Sequence, residues 1–139
     1  MREIFIVYIN QCILGSYSSV DKAKNAIKNA NLIDDKWEIM KIILDNNVIN
    51  KNDVVCNYKT RDDKYFYNLS GYYVLTPIYT VYNINTHIIA GAYSSITNTR
   101  KNIIKSEHTI KEKCYIIKNN LDDPLLINMN IIDKHNITT

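Results

Sequence analysis

The chain has 139 residues, 46% hydrophobic and 22% charged, which suits one globular domain and excludes a disordered tail. Its net charge of +3, from 17 basic and 14 acidic residues, falls short of the excess usual in proteins that grip duplex DNA by its phosphates. Three scattered cysteines exclude a disulfide framework, and no run approaches the ~20 apolar residues of a membrane helix. The apolar run near the N-terminus is too short for a signal-peptide core, so the reading is an intracellular protein that is neither secreted nor membrane-bound. Glycine (3) and proline (2) are scarce, which leaves asparagine to fill many turn positions.

Residues 4–9 are apolar and rich in β-branched and aromatic types, which predicts a strand. Asn10-Gln11 fits a two-residue hairpin turn, because Asn tolerates the left-handed backbone such turns need. Cys12 to Tyr17 is the expected second strand, with Gly15 marking a bulge or a close approach of the following helix. Ser18 or Ser19 caps that helix, whose apolar stripe is Val20, Ala23, Ile27 and Ala30, with Lys22, Lys24 and Lys28 largely off it. Trp37 to Leu44 closes a strand-strand-helix-strand unit, and Asp45 begins its turn.

The unit then recurs. Gly15-Ser16-Tyr17-Ser18-Ser19-Val20 returns as Gly91-Ala92-Tyr93-Ser94-Ser95-Ile96. Ile78 to Tyr82 matches Ile4 to Tyr8, and His87 to Tyr93 is the next strand. A second helix carries Ile96, Thr99 and Ile103 at the stripe positions of Val20, Ala23 and Ile27. Tyr115 to Leu121 closes the copy, and there Leu121-Asp122 matches Leu44-Asp45. Insertions fall only in predicted loops, where they cost least. The organisation read from this is a first β-β-α-β copy at 1–47, an aromatic and charged connection at 48–77, a second copy at 78–124 and a tail at 125–139. A strand is possible at Asp53 to Tyr58, and a short helix or strand in the tail. The expected fold is α+β: an internally duplicated β-β-α-β unit forming one antiparallel sheet, pseudo-twofold, with two helices on one face. Two sheets packed through the helices are the alternative.

Little in this pattern points to chemistry. The three cysteines and three histidines show no metal-ligand spacing, so no metal and no cofactor are expected. Asp34-Asp35, Asp62-Asp63 and Asp122-Asp123 read as solvated turn residues, since phosphoryl chemistry needs carboxylates converging on one point. The Gly15, Tyr17, Ser18, Ser19 motif and its copy Gly91, Tyr93, Ser94, Ser95 read as a structural device in which serine caps a helix, without a P-loop or nucleophile elbow. The segment 59–73 mixes Arg61 and Lys64 with Tyr65, Phe66, Tyr67, Tyr72 and Tyr73. That mixture suits strand or core, a protein interface, or stacking on single-stranded nucleic acid. Arg100, Lys101 and Lys105 make a basic face on the second helix.

The Val-Tyr, short turn, Gly-x-Tyr-Ser-Ser and helix pattern resembles small modules in proteins of large DNA viruses and some phages, and the Asn/Ile/Lys/Tyr bias is similar to that of mimivirus-like giant viruses. The resemblance covers roughly 4–45 and 78–122, and it implies a viral accessory, scaffold or virion-associated protein, placed in the host cytoplasm or the virion. It transfers no functional residue. The expectation is a non-enzymatic interaction or assembly module that binds a protein partner or itself. A single-stranded nucleic-acid module using Arg61, Lys64, Tyr65, Tyr67 and the helix cations is the alternative, and a small enzyme of unknown class comes third.

Overall fold

The structure is a computed structural model that describes residues 2–45, 53–59, 76–105, 114–126 and 128–135. Its elements in chain order are β1 (Glu3–Ile9), β2 (Cys12–Tyr17), α1 (Val20–Asn29), β3 (Trp37–Ile43), β4 (Asp53–Asn57), β5 (Pro77–Asn83), β6 (Ile88–Tyr93), α2 (Ile96–Lys105), β7 (Cys114–Asn120) and β8 (Ile131–His135).

The β1–β2 turn has Asn10 at φ 51° and Gln11 at φ 64°, the left-handed pair that a two-residue hairpin requires. The longer β5–β6 turn ends on His87 at φ 58°. Ser19 caps α1 by accepting the Lys22 N–H at 3.2 Å, and Asp21 lies in the positive first turn. Ser95 accepts the Asn98 N–H at 3.1 Å in the same way. Ala23, Ala26 and Ile27 form the buried stripe of α1, but Ala30 is exposed and Lys24 is 5% exposed. The expected stripe therefore ends one turn early, because the chain leaves the helix at the Ala30 cap.

The fold is α+β, with two helices and two four-stranded antiparallel sheets ordered β2-β1-β3-β4 and β6-β5-β7-β8. Asp53–Asn57 extends the first sheet by pairing with β3, and the tail supplies β8, which pairs with β7. The expectation of one continuous sheet with both helices on one face is corrected here. The reason lies in the alternation of the central strands. Val7, Ile9, Trp37 and Ile39 face one side, where they pack with Ala23, Ala26 and Ile27 of α1. Ile4, Ile6, Met40 and Ile42 face the other side, where they pack with Ile78, Tyr82, Ile89 and Ile117 of the second sheet. One helix covers one face only, and a strand apolar on both faces needs a second layer. The second sheet provides it, while its own outer side packs Val81, Tyr93, Cys114 and Ile116 with Ile96 of α2. The layers run helix, sheet, sheet, helix, so the alternative of sheets packed through the helices is also excluded.

Trp37 anchors the α1 side. It is fully buried, and its Nε1–H donates to the Ile33 carbonyl at 3.1 Å. Trp37→Ala is expected to cost about 3–5 kcal/mol through the cavity it opens, with Trp37→Phe costing less, as read by urea denaturation.

Candidate functional site

The Gly-x-Tyr-Ser-Ser stretch works at the seam between the sheets. β2 meets the end of β7 at a parallel bridge from Ser16 to Leu121, and the Asp122 N–H donates to the Ser16 carbonyl at 2.8 Å. The Asp122 carboxylate then reaches Ser18: Oδ1 accepts the Ser18 N–H at 2.7 Å and Oδ2 accepts the Ser18 hydroxyl at 2.8 Å. The other end of the seam repeats this with the roles exchanged. The Asp45 N–H donates to the Ala92 carbonyl at 2.8 Å, and Asp45 accepts the Ser94 N–H at 2.9 Å and its hydroxyl at 2.8 Å. Both aspartates have left-handed backbones, φ 60° at Asp45 and φ 63° at Asp122, a conformation that Asp tolerates better than most residues. In each serine pair, then, the second residue caps the helix and the first is held by the opposite sheet.

Glycine and tyrosine complete the device. A Cβ at Gly15 would lie 2.6 Å from the Tyr17 hydroxyl oxygen, and one at Gly91 would lie 2.7 Å from that of Tyr93. Neither glycine has positive φ, so what it supplies is room for the ring folded back over it. The sequence reading named a bulge or an approaching helix at Gly15. The bulge is there, opposite Val7/Tyr8, but the close neighbour is the tyrosine ring. The Tyr17 hydroxyl crosses the seam and donates to the Asp123 carbonyl at 2.6 Å. Tyr93 has its pKa raised above the ordinary 10.0, first by burial and then by the Asp45 carboxylate.

Between the clasps Tyr8 meets Tyr82. Their hydroxyls are 3.0 Å apart and their ring centroids 5.9 Å, inclined at 60°. The Tyr82 hydroxyl also lies 3.1 Å from His87 Nδ1. Burial, then the Tyr8 hydrogen bond and charge, then Cys12, push the Tyr82 phenol well above its ordinary value.

The outer strands β4 and β8 are the sheet edges opposite β2 and β6. Each carries a bulge, with Val55 the unpaired residue on β4 and Ile132 on β8. Val54 (39% exposed), Val55 (40%) and Ile132 (43%) are among the large apolar side chains that face solvent.

Arg61, Lys64, Tyr65, Phe66, Tyr67, Tyr72 and Tyr73 lie outside the described residues, as do Asp62 and Asp63. Arg100 and Lys101 are exposed on α2, and Lys105 ends that helix. Cys56 and Cys114 are buried and Cys12 is half-buried. Among the described residues no cluster of His, Cys, Asp and Glu could hold a metal ion, and no helix is long and apolar enough to cross a membrane. Asp122 corrects the reading of solvated aspartates. Its side chain is 17% exposed because it is locked to Ser18 across the seam. The matched Leu44-Asp45 and Leu121-Asp122 pairs were the sequence signal for these partners, but only contacts between distant strands reveal what each aspartate binds. Comparison with protein-family models, with curated proteins and with solved structures gave no match.

Asp122→Ala removes two charge-assisted bonds and is expected to cost about 2–3 kcal/mol by chemical denaturation. Lys22 adds only an ion pair at 3.3 Å, and its side chain is 47% exposed, so Lys22→Ala should cost under about 1 kcal/mol. The tyrosines set the alkaline limit. An unfolded phenol ionises near 10.0, whereas the buried Tyr82 holds its proton. The unfolded chain therefore binds fewer protons above that pH, and stability falls as pH rises from there. Tyr82→Phe should flatten this alkaline slope in a series of denaturation midpoints.

Proposed function

We propose that the protein is a non-enzymatic interaction and assembly module, built from two copies of a β-β-α-β unit related by pseudo-twofold symmetry. The repeated Gly-x-Tyr-Ser-Ser stretch, the matching strand orders and the exchanged Asp–Ser clasps support the duplication. The resemblance of the repeat to modules of large DNA viruses supports a place among accessory or virion-associated proteins.

The observation that carries the interaction reading is the pair of outer edges. Val55 and Ile132 occupy the same bulge position in the two sheets, opposite Ile39/Met40 and Ile116/Ile117, and both are exposed. A bulge interrupts a strand's capacity to extend a ladder, and it re-aims the extra side chain. The edges therefore make contact through apolar side chains rather than through a continuous added strand. Two such edges on one molecule suit self-association, in which each chain offers two contact points.

Light scattering at rising concentration, with chemical cross-linking, tests this. The wild type is expected above the mass of a single chain. Val55→Lys with Ile132→Lys should return it to that mass with little change in unfolding midpoint, because both side chains are exposed. A wild type that stays a strict monomer and captures no protein partner rejects the reading.

A further inference from the structure

The two ends of the seam match in backbone but differ in chemistry. Ile6 pairs with Ser16 and Met40 in the first sheet, and Thr80 pairs with Ala92 and Ile117 in the second. Likewise Ile4 pairs with Ile42, and Ile78 pairs with Asn119. Three register positions thus change from apolar to polar: Ile6 to Thr80, Ile42 to Asn119 and Ala92 to Ser16. Ser16 and Asn119 lie at one end, while Thr80 pairs directly with Ala92 of the other end and reaches Asn119 only diagonally. Asn119 is on β7, and Ser16 is on β2 where it bridges to β7 at Leu121. The other end, where Asp45 meets Ala92, has Ala92 and Ile42 in the matching places.

All three polar residues are at least nine-tenths buried: Ser16 and Thr80 are 0% exposed and Asn119 is 5%. Ser16 Oγ, Thr80 Oγ1 and Asn119 Oδ1 have no hydrogen-bond partner among the described residues. A buried polar atom without a partner is destabilising, and the matching positions show that this backbone accepts Ile and Ala at these places. A pocket of about 180 Å³ opens at the polar end, lined by Asn119 together with Asn120, Asn130, Lys118, Asp123 and Leu126, among others. The coincidence of an unpartnered, nearly buried amide with a pocket it lines is what marks a site.

We propose that this end of the seam binds a small, neutral, polyhydroxylated molecule of about monosaccharide size. The size follows from the volume, which is below the ~300 Å³ where drug-sized pockets begin. Neutrality follows from the lining, which includes one basic residue, Lys118, and one acidic residue, Asp123. Asn119 Oδ1 is an acceptor without a partner among the described residues, and Asn130, which donates one N–H to the Lys118 carbonyl at 3.1 Å, keeps a second N–H. The lining thus holds both acceptor and donor for neighbouring hydroxyls, while Leu126 offers an apolar surface to C–H groups. Ser16, buried at the same end of the seam, carries a further rotatable hydroxyl without a partner among the described residues. The site rests on the register comparison and the pocket, and it is independent of whether the edges mediate assembly.

Titration of the full chain followed by two-dimensional ¹H–¹⁵N NMR tests it, with glucose and myo-inositol as probes and with glycine and inorganic phosphate as zwitterionic and anionic comparisons. The expected result is saturable, millimolar-range shifts of the Asn119, Asn120 and Asn130 amides with a polyol. Asn119→Ile, which copies the residue at position 42, is expected to weaken binding at least tenfold while leaving the melting temperature equal or higher. If that variant fails to fold, Asn120→Ala at the half-buried rim should still weaken binding severalfold. Shifts that do not saturate, shifts seen only with glycine or phosphate, or equal polyol binding by a folded Asn119→Ile or Asn120→Ala overturn the proposal.

Discussion

The structure depends on one constraint: the central strands are apolar on both faces. β1 presents Val7 and Ile9 to α1 and Ile4 and Ile6 to the opposite sheet. A strand-strand-helix-strand unit with one helix can cover only half of that surface. Each sheet therefore needs the other, and the inter-sheet core is built from both. It joins Ile4, Ile6, Ile13, Met40 and Ile42 to Ile78, Tyr82, Ile89 and Ile117. Burial at roughly 25 cal/mol per Å² of apolar surface makes this face the main favourable term between the halves.

Hydrophobic burial is not directional, so it does not by itself set how two sheets are aligned. The clasps do. An aspartate in left-handed conformation at the end of β3 or β7 binds the main chain of the opposite hairpin strand and then the serine two residues on. Its two carboxylate oxygens take an N–H and an O–H, which fixes both position and rotation. The tyrosine folded over its glycine adds a further bond at the Tyr17 end. The seam then has two bonded ends and a Tyr8–Tyr82 contact between them. Within that frame the chemistry is free to differ, and it does: one end has Ile42 and Ala92 where the other buries Asn119 and Ser16.

Much of the fold was legible locally. The Asn10-Gln11 hairpin, the serine caps and both helices follow from short-range chemistry, in which a left-handed turn or an unpaired N–H accepts few residue types. The layering was legible in principle and was misread. Ile4 to Ile9 is nearly continuous in apolar residues, which signals a strand buried on both faces, whereas a one-sided sheet would alternate with polar residues. Asp122 was misread for a different reason. An aspartate in a turn looks the same in sequence whether it meets water or a serine about a hundred residues away.

The amino-acid sequence alone determined the elements of the two β-β-α-β segments, their order and the repeated Gly-x-Tyr-Ser-Ser stretch, because strands, caps and turns depend on neighbours within a few residues, whereas it left the tail open between helix and strand. Only the tertiary structure decided that the sheets stack face to face, that Asp45 and Asp122 each bind the opposite sheet, and that Ser16 and Asn119 are both buried at one end of the seam. Those outcomes are contacts between residues far apart in the chain, and their partners are chosen by register and packing. A local run such as Ile4 to Ile9 signals that both faces are covered, but no local pattern names the distant residues that cover them.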